Sequence, residues 1–311
     1  MAQAATKLET AYQELIRQAA KGDVIHNDDS PMKILEFLKE NQQWQETGDD
    51  KTQRTGIFTT GMVSRRNGRD VVLYSTGRRH AGENLAEVLK KRPEELDPPV
   101  QMCDALRRNL PGELKTIVAN CLAHGRRKFV EVAKSFPDEV KHVLEELGEV
   151  YAIDARARSS ELSPELRLQL HMQESKPVVD RLETWLKAQF SEKKVEENSG
   201  LGTAIQYMLK HWERLTLFLR VPGAPLDNNL CERMLKRAIL HRKNSLFYKT
   251  ENGARVGDLY MSLIASAKQA GVDPFHYLTE LQRRQKEVTE HPSWWMPWKY
   301  KATLAKFYSD S

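Results

Sequence analysis

One glutamate, Glu232, lies in a stretch rich in cations that opens with the turn-favouring residues 227–229. A helical pattern runs from about Leu230 and puts Glu232 at the border of an apolar face. The surrounding basic residues are Arg233, Lys236, Arg237, Arg242 and Lys243. One acid among that many cations suits a site that holds a metal ion while binding a phosphate backbone. The same pattern also fits a capping glutamate on a solvated basic helix, and both interpretations stay open.

Two aspartates far from Glu232 lie at the ends of short strand-like segments. Asp28 ends the run that begins at Val24, and Asp104 ends residues 99–104. If these strands are neighbours, their carboxylates meet at one edge of a sheet, and a later helix can bring Glu232 there. Three such acids suit phosphoryl transfer with two Mg²⁺ ions about 4 Å apart. Spacing alone does not select them among 43 acidic residues, and Asp29 competes directly with Asp28.

The elements predicted around these acids belong to a mixed α/β fold. Residues 55–65 and 69–76 are strand candidates, and the Asn67-Gly68 dipeptide between them is a strong hairpin signal. A helical segment then leads to the strand that ends in Asp104. Strand, hairpin, helix and strand is the order expected of a mixed sheet with helices on its faces.

Much of the remaining chain has helical periodicity. Residues 40–54 are predicted to be a polar loop. From Pro137 to about Leu219 there is no good strand candidate, so this part is predicted to be an inserted helical subdomain. Helices are predicted near 254–270 and 274–288, and the Pro- and Trp-rich tail after them is predicted to be irregular.

Composition limits the class of protein. Hydrophobic residues make up 40% of the chain and charged ones 29%, as in a soluble globular protein, and a net charge of +5 permits nucleic-acid binding without requiring it. Three widely spaced cysteines predict reduced core thiols rather than disulfides. No apolar run approaches the ~18 residues of a membrane span, and the N-terminus is no signal peptide. We therefore expect a cytoplasmic protein without a membrane partner.

Several other residues allow both a functional and a structural interpretation. Cys121 and His124 have a spacing that zinc could use, but no second Cys/His pair accompanies them, so a packed Cys and a hydrogen-bonded His are favoured. A basic cluster follows them, and its residues alone favour a solvated helix face over DNA contacts: Arg126, Arg127 and Lys128. Three tail tryptophans could stack on unpaired bases, but docking onto the protein's own surface is favoured: Trp294, Trp295 and Trp298.

Five segments carry a resemblance to a known family. They are HNDDS, CLAHGRRKF, GTAIQYMLKHWERLTLFL, LDNNLCERMLKRAILHRKNSLF and SLIASAKQAGVDPFHYL. In this order, and over nearly the whole chain, they resemble the motifs of the insertion sequence 66 family of bacterial DDE transposases. The DNN-x-x-ER block followed by RKN-x-LF is specific, and so are the AI-x-Y and GVDP-x-x-YL blocks.

The resemblance implies a ribonuclease H-like mixed sheet with a large all-helical insertion and C-terminal helices. The implied catalytic and metal-binding triad is Asp28, Asp104 and Glu232, with Mg²⁺ as cofactor and Mn²⁺ as a substitute. The cations around Glu232 and at 126–128 would contact DNA. The expected regions are an N-terminal helix (1–21), a first part of the core (22–135), a helical insertion (136–222), a second part of the core (223–290) and an aromatic tail (291–311).

This sequence departs from the family pattern at four places. Asp29-Ser30 replaces the usual Glu-Thr, Ala105-Leu106 replaces Gly-Tyr, and Leu122 replaces Trp. The chain is also expected to lack the family's N-terminal zinc-binding and DNA-binding region. None of the three substitutions removes a ligand of the implied acidic triad, although the second weakens the register at Asp104 most. Recognition of the element ends is thus expected to involve another chain.

The predicted function is DNA transposition by a metal-dependent polynucleotidyl transferase. Water would cut at an element end and free a 3′-OH, which would then attack target DNA. Double-stranded DNA, a homo-oligomer assembled on it and accessory proteins of the same element are the expected partners. The alternatives are a catalytically silent or partner-dependent DNA-binding remnant of such a transposase, and a stand-alone nuclease.

Overall fold

The strands form a five-stranded mixed sheet, which agrees with the predicted α/β class. The computed structural model describes residues 2–47 and 54–309. The strands are β1 (Val24–Pro31), β2 (Phe58–Arg66), β3 (Arg69–Gly77), β4 (Val100–Cys103) and β5 (Ile117–Asn120). Their order in the sheet is β3-β2-β1-β4-β5. β2 is antiparallel to β1 and to β3, whereas β4 and β5 are parallel.

Helices make up most of the rest of the described chain. They are α1 (Ala2–Ala20), α2 (Leu35–Thr47), α3 (Ala81–Leu89), α4 (Leu122–Val132), α5 (Pro137–Ser159), α6 (Pro164–Leu170), α7 (Lys176–Ser191), α8 (Gly200–Lys210), α9 (Trp212–Leu215), α10 (Asn229–Ser245), α11 (Glu251–Gln269), α12 (Pro274–Arg283), α13 (Gln285–Glu290) and α14 (Tyr300–Ser309). Every element between β5 and α10 is helical, as the sequence predicted. In the part of the chain that the structure covers, no helix is long and apolar enough to cross a lipid bilayer.

The chain divides into two compact units. The first unit comprises Met1–Pro99, Leu106–Thr116 and Leu230–Ser311. The second unit comprises Val100–Ala105 and Ile117–Asn229. The first unit therefore holds β1, β2 and β3 with the helix that carries Glu232, and the second holds β4, β5 and the run of helices between β5 and α10.

The predicted hairpin is present between β2 and β3. Asn67 and Gly68 have φ angles of 49° and 70°, both in the left-handed region. A two-residue turn of this kind matches the right-handed twist of the flanking strands, which is why Asn-Gly is favoured there. The turn pairs Arg66 with Arg69 and so fixes the register of the whole hairpin.

One face of this three-stranded part of the sheet packs against α1 and α11. Buried side chains from the strands meet buried side chains from the helices there: Leu8, Leu15, Ile25, Met62, Leu73 and Leu263. Because successive side chains of a strand point to opposite faces, the intervening residues line the other face. That second face holds Val63, Val72 and Tyr74, together with residues of α10.

The prediction of a polar loop over residues 40–54 is wrong for residues 40–47, because these residues belong to α2. Phe37 and Asn41 of this helix are buried, and the Asn41 side-chain amide donates to the carbonyl of Thr55. The Arg78 guanidinium also lies 4.5 Å from the centroid of the Trp44 ring. These contacts with distant residues stabilise a helix that its own polar sequence does not predict. Residues 48–53 of the predicted loop lie outside the described residues.

The aromatic tail packs into the first unit instead of being irregular. Trp295 is fully buried, and its carbonyl accepts a hydrogen bond of 2.8 Å from the Tyr277 hydroxyl. Trp298 packs against this core, and Arg69 lies 5.8 Å from its ring centroid. Docking on the protein itself, the favoured interpretation, therefore holds for these two tryptophans. Trp294 is 47% exposed and stacks on His291.

Candidate functional site

Glu232 lies in the first turn of α10, and the residues around it fix that helix against β2. Cys231, Met234, Leu235 and Ala238 are buried, as the apolar periodicity predicted. The Cys231 thiol donates to the carbonyl of Gly61 at 3.3 Å. A Cβ atom added to Gly61 would lie 2.8 Å from Cγ of Leu235. The absence of a side chain at this strand position is what lets the helix approach so closely.

Gly61 also determines which aspartate of β1 faces the Glu232 helix. In the antiparallel register Asp28 lies directly opposite Gly61. Directly opposed residues project to the same face of a sheet. The face on which a Gly61 Cβ would meet Leu235 is therefore the face to which Asp28 projects. Asp28 and α10 consequently share one face of the first unit.

Asp29 projects to the opposite face and is held by several groups. Its side chain is only 1% exposed. One oxygen lies 2.9 Å from Nδ1 of His80 and accepts from the backbone N–H of Ala81 at 3.3 Å. The other lies 3.6 Å from the Arg108 guanidinium. Asp29 therefore links β1 to the start of α3 on the face away from α10.

Asp104 belongs to the second unit, where it immediately follows β4. Its carboxylate is 16% exposed and lies 2.9 Å from Nδ1 of His124 in α4. The hydrogen bond that His124 donates to the Asp104 carboxylate, and after it one with Cys121, raises the pKa of His124 to about 10. Burial, aided by the negative charge of Asp104, raises the pKa of Tyr207 to about 12. Asp104 is thus partly buried and in hydrogen-bond contact with the imidazole of His124.

Three potential metal ligands converge at this point. One atom each from Asp104, Cys121 and His124 lies within 4.8 Å of the others. The sequence disfavoured zinc at Cys121 and His124 because no second Cys/His pair accompanies them. The tertiary structure supplies a third potential ligand in Asp104, which follows a strand seventeen residues before Cys121. The Cys121 sulfur also accepts the backbone N–H of Asn228 at 3.3 Å, so this thiol has a structural role as well.

The predicted DNA-binding cations fall into two groups on two helices. Those of α4 are exposed: Arg126, Arg127 and Lys128. Those of α10 are exposed at Arg233, Lys236 and Lys243 and half-buried at Arg237 and Arg242. Lys128 lies 3.8 Å from Glu131, and Arg127 lies 3.3 Å from Nε2 of His124.

Arg242 has a clear structural contact. Its guanidinium donates to the carbonyl of Pro31 and lies 3.4 Å from the Ser30 hydroxyl. It therefore ties the C-terminal half of α10 to the end of β1. The sequence predicted the same DNA-binding role for Arg242 as for the neighbouring cations. It did not show this contact, because the contact joins residues more than two hundred positions apart.

Comparison with known proteins identifies the family. Three uncharacterized proteins of Sinorhizobium fredii (strain NBRC 101917 / NGR234) are similar to this chain. They are y4jD, 35% identical over 191 residues, y4hP, 29% identical over 204, and y4qI, 30% identical over 199. The y4jD match covers 60% of this chain and 36% of the relative, so the chain spans about a third of the length of the relatives it matches. The model of the transposase IS66 family matches residues 1–256, and the chain belongs to that family.

Proposed function

We propose that this chain catalyses metal-dependent DNA cleavage and strand transfer at the ends of an insertion element. Membership of the IS66 transposase family supports a role in transposition. The observation that carries the specific chemistry is the packing of α10 on Gly61, opposite Asp28. It gives Asp28 and the Glu232 helix a common face, as a carboxylate site on a ribonuclease H-like sheet requires.

We propose that Asp28, Asp104 and Glu232 supply the carboxylates for Mg²⁺, with Mn²⁺ as a substitute. Carboxylate oxygens are the ligands that Mg²⁺ prefers, so the donor set fits. Bound divalent ions would activate the attacking oxygen of each step and stabilise the leaving oxygen. Asp28 is preferred to Asp29 because Asp29 is buried against His80 and α3 on the other face.

His124 would act as a positioning residue for Asp104. Its Nδ1 lies 2.9 Å from one carboxylate oxygen and fixes the orientation of the carboxyl group. Zinc bound by Asp104, Cys121 and His124 is the competing interpretation. A zinc site would use the same aspartate, Asp104, as the proposed Mg²⁺ site. The metal that supports activity therefore distinguishes the two sites.

The exposed cations of α4 and α10 would hold the DNA backbone. Arginine and lysine contacts to phosphates release counterions, so binding should weaken steeply with salt. We propose double-stranded element ends and target DNA as substrates. A homo-oligomer assembled on DNA, accessory proteins of the same element and a cytoplasmic location complete the proposal.

The test is Mg²⁺-dependent nicking and joining of a labelled duplex that carries candidate element ends. Glu232→Gln keeps the side-chain shape and removes the charge, and Glu145→Gln is a matched control in an exposed i,i+4 pair of the helical region. We expect the control to cut and join like the wild type and Glu232→Gln to do neither. DNA binding without cutting by all three proteins would instead indicate a binding remnant or partner-dependent core, and nicking without joining a nuclease. Activity with zinc in place of Mg²⁺ would favour the competing metal site.

A further inference from the structure

A cleft in the first unit is lined by four arginines. It has a volume of about 550 Å³ and lies beside the start of α3. We call it the arginine cleft and define it by Arg54, Arg79, Arg107 and Arg108, with Leu110 and Pro111 on its apolar side. None of these arginines was among the DNA-binding residues predicted from the sequence.

The charges of the cleft favour an anionic ligand. Its lining includes two glutamates, Glu83 and Glu87, and Arg108 also lies beside the carboxylate of Asp29, so the four arginines exceed the three carboxylates by one. Arg54 lies 2.6 Å from Glu83 and Arg79 lies 3.4 Å from Glu87, and all four side chains are at least 40% exposed. Exposed ion pairs of this kind contribute little stability, so a phosphate can replace the carboxylates at low cost.

The cleft is connected to the proposed catalytic strand. Arg108 lies 3.6 Å from one oxygen of Asp29, and His80, which also lines the cleft, lies 2.9 Å from the other. Asp29 directly follows Asp28, the proposed metal ligand. Because Asp29 projects to the face away from α10, the cleft meets β1 on the side of the sheet opposite the proposed metal site.

The dimensions and the lining match a nucleotide. Ligand cavities of about 300–1,000 Å³ accept molecules of that size. The arginines offer planar donors suited to phosphate oxygens, and the apolar side offers a surface for a sugar or base. We propose that the arginine cleft binds the backbone of the bound DNA outside the cut site, with a phosphate on Arg79 and Arg107. This inference rests on the proposed function and assigns part of its DNA-binding surface.

The first test measures how DNA affinity depends on salt. A fluorescein-labelled duplex is titrated with the wild type, with Arg79→Gln, with Arg107→Gln and with the double variant. Arg255→Gln is the matched control, since Arg255 is 62% exposed and lies 3.2 Å from Glu9, much as Arg79 is 59% exposed beside Glu87. Each lost phosphate contact should reduce the slope of log affinity against log salt by about 1, and the double variant by about 2. Arg255→Gln should keep the wild-type slope.

A second test locates the strand independently of activity. The native cysteines are buried, so Ala86→Cys introduces an accessible thiol in the lining of the cleft. We expect its thiolate to exchange with an activated disulfide on the backbone of a duplex outside the cut site, which joins the cysteine to the DNA and releases the small leaving thiol, and we expect Arg255→Cys to give no such product. Circular dichroism establishes that each variant is folded.

Three outcomes would overturn the inference. If the arginine variants keep the wild-type slope of log affinity against log salt while the wild type binds and cuts DNA, the cleft does not bind DNA. The proposed function would then stand without it. In a second outcome, the wild type binds deoxyadenosine monophosphate saturably, and the double variant loses this binding while its duplex binding is unchanged. That result would show that the cleft binds a free nucleotide rather than DNA. If the wild-type chain neither binds nor cuts DNA, both the DNA-binding role of the cleft and the proposed function are contradicted.

Discussion

Asp258 of α11 accepts a hydrogen bond of 2.6 Å from the backbone N–H of Thr76 in β3. It is one of three such bonds along this edge strand. The N–H groups of Tyr74 and Val72 donate to the hydroxyls of Ser262 and Ser266, each at 2.9 Å. Two residues of a strand advance about 6.7 Å and four residues of a helix about 6 Å, so the two repeats match. The helix thereby satisfies the donors that β3, as an edge strand, would leave open.

Asp258 makes the stability of the protein depend on pH. Burial raises its pKa from 3.8 to about 7, while Thr76, through its hydroxyl and its N–H, opposes that rise. Between these values the folded state holds a proton that the unfolded state has lost, so the free energy of unfolding falls as pH rises towards 7. Tyr12 and Tyr248 interact with Asp258, but burial raises their pKa values further above this window.

Replacing Asp258 with Asn should remove this dependence. The amide keeps an acceptor for the Thr76 N–H and a donor for its hydroxyl, and it does not titrate. At about 1.4 kcal/mol per pKa unit, we expect Asp258→Asn to be up to about 4 kcal/mol more stable than the wild type at pH 8 and similar to it at pH 4. Urea unfolding at both pH values measures the difference. A constant difference between the two proteins from pH 4 to pH 8 would contradict the assignment.

Removing a hydroxyl of this ladder should destabilise the first unit. Ser262→Ala leaves the buried N–H of Tyr74 without its acceptor, and such a loss costs about 1–3 kcal/mol. Thr184→Ala is the control, because that exposed hydroxyl donates within its own helix, to the carbonyl of Asp180. Thermal unfolding should show a lower Tm for Ser262→Ala and almost no change for Thr184→Ala. Equal Tm values would show that the edge strand does not depend on this acceptor.

Adding a methyl group at Gly61 should disturb the proposed site more than it disturbs the fold. The new Cβ would meet Leu235 at 2.8 Å and push α10 away from β2. We expect Gly61→Ala to cost about 1–3 kcal/mol of stability, as overpacking does, and to abolish cleavage even where the protein remains folded. Gly148→Ala is the matched control, because a Cβ there meets nothing within 4 Å and the helical position gains about 0.5–1 kcal/mol. Nicking assays below both Tm values separate the two effects, and full activity in Gly61→Ala would argue against the role of this contact.

The two neighbouring aspartates should respond differently to the same substitution. Asp28→Asn is expected to abolish Mg²⁺-dependent cleavage with little change in Tm. Asp29→Asn removes the negative charge between His80 and Arg108 and should lower the Tm while leaving some Mg²⁺-dependent cleavage. The reverse pattern, with activity lost only in Asp29→Asn, would exchange the two proposed roles.

The sequence by itself determined most of the local structure and the family. The Asn67-Gly68 turn, the strand that begins at Val24 and the apolar face of α10 are patterns within short windows, and each is present in the structure. The strand was predicted to end at Asp28, but β1 continues to Pro31. The motif blocks likewise identify the IS66 family, because family motifs are read directly from consecutive residues.

The tertiary structure decided what depends on distant contacts. Strand alternation requires Asp28 and Asp29 to face opposite ways, but only the packing of Leu235 on Gly61 shows which of them shares a face with Glu232. The position of Asp104, a potential metal ligand, beside Cys121 and His124 and the helical state of residues 40–47 depend in the same way on contacts between residues far apart in the chain. A local sequence pattern gives the direction of a side chain relative to its own element. The surface that this side chain meets is set by whichever other element buries it.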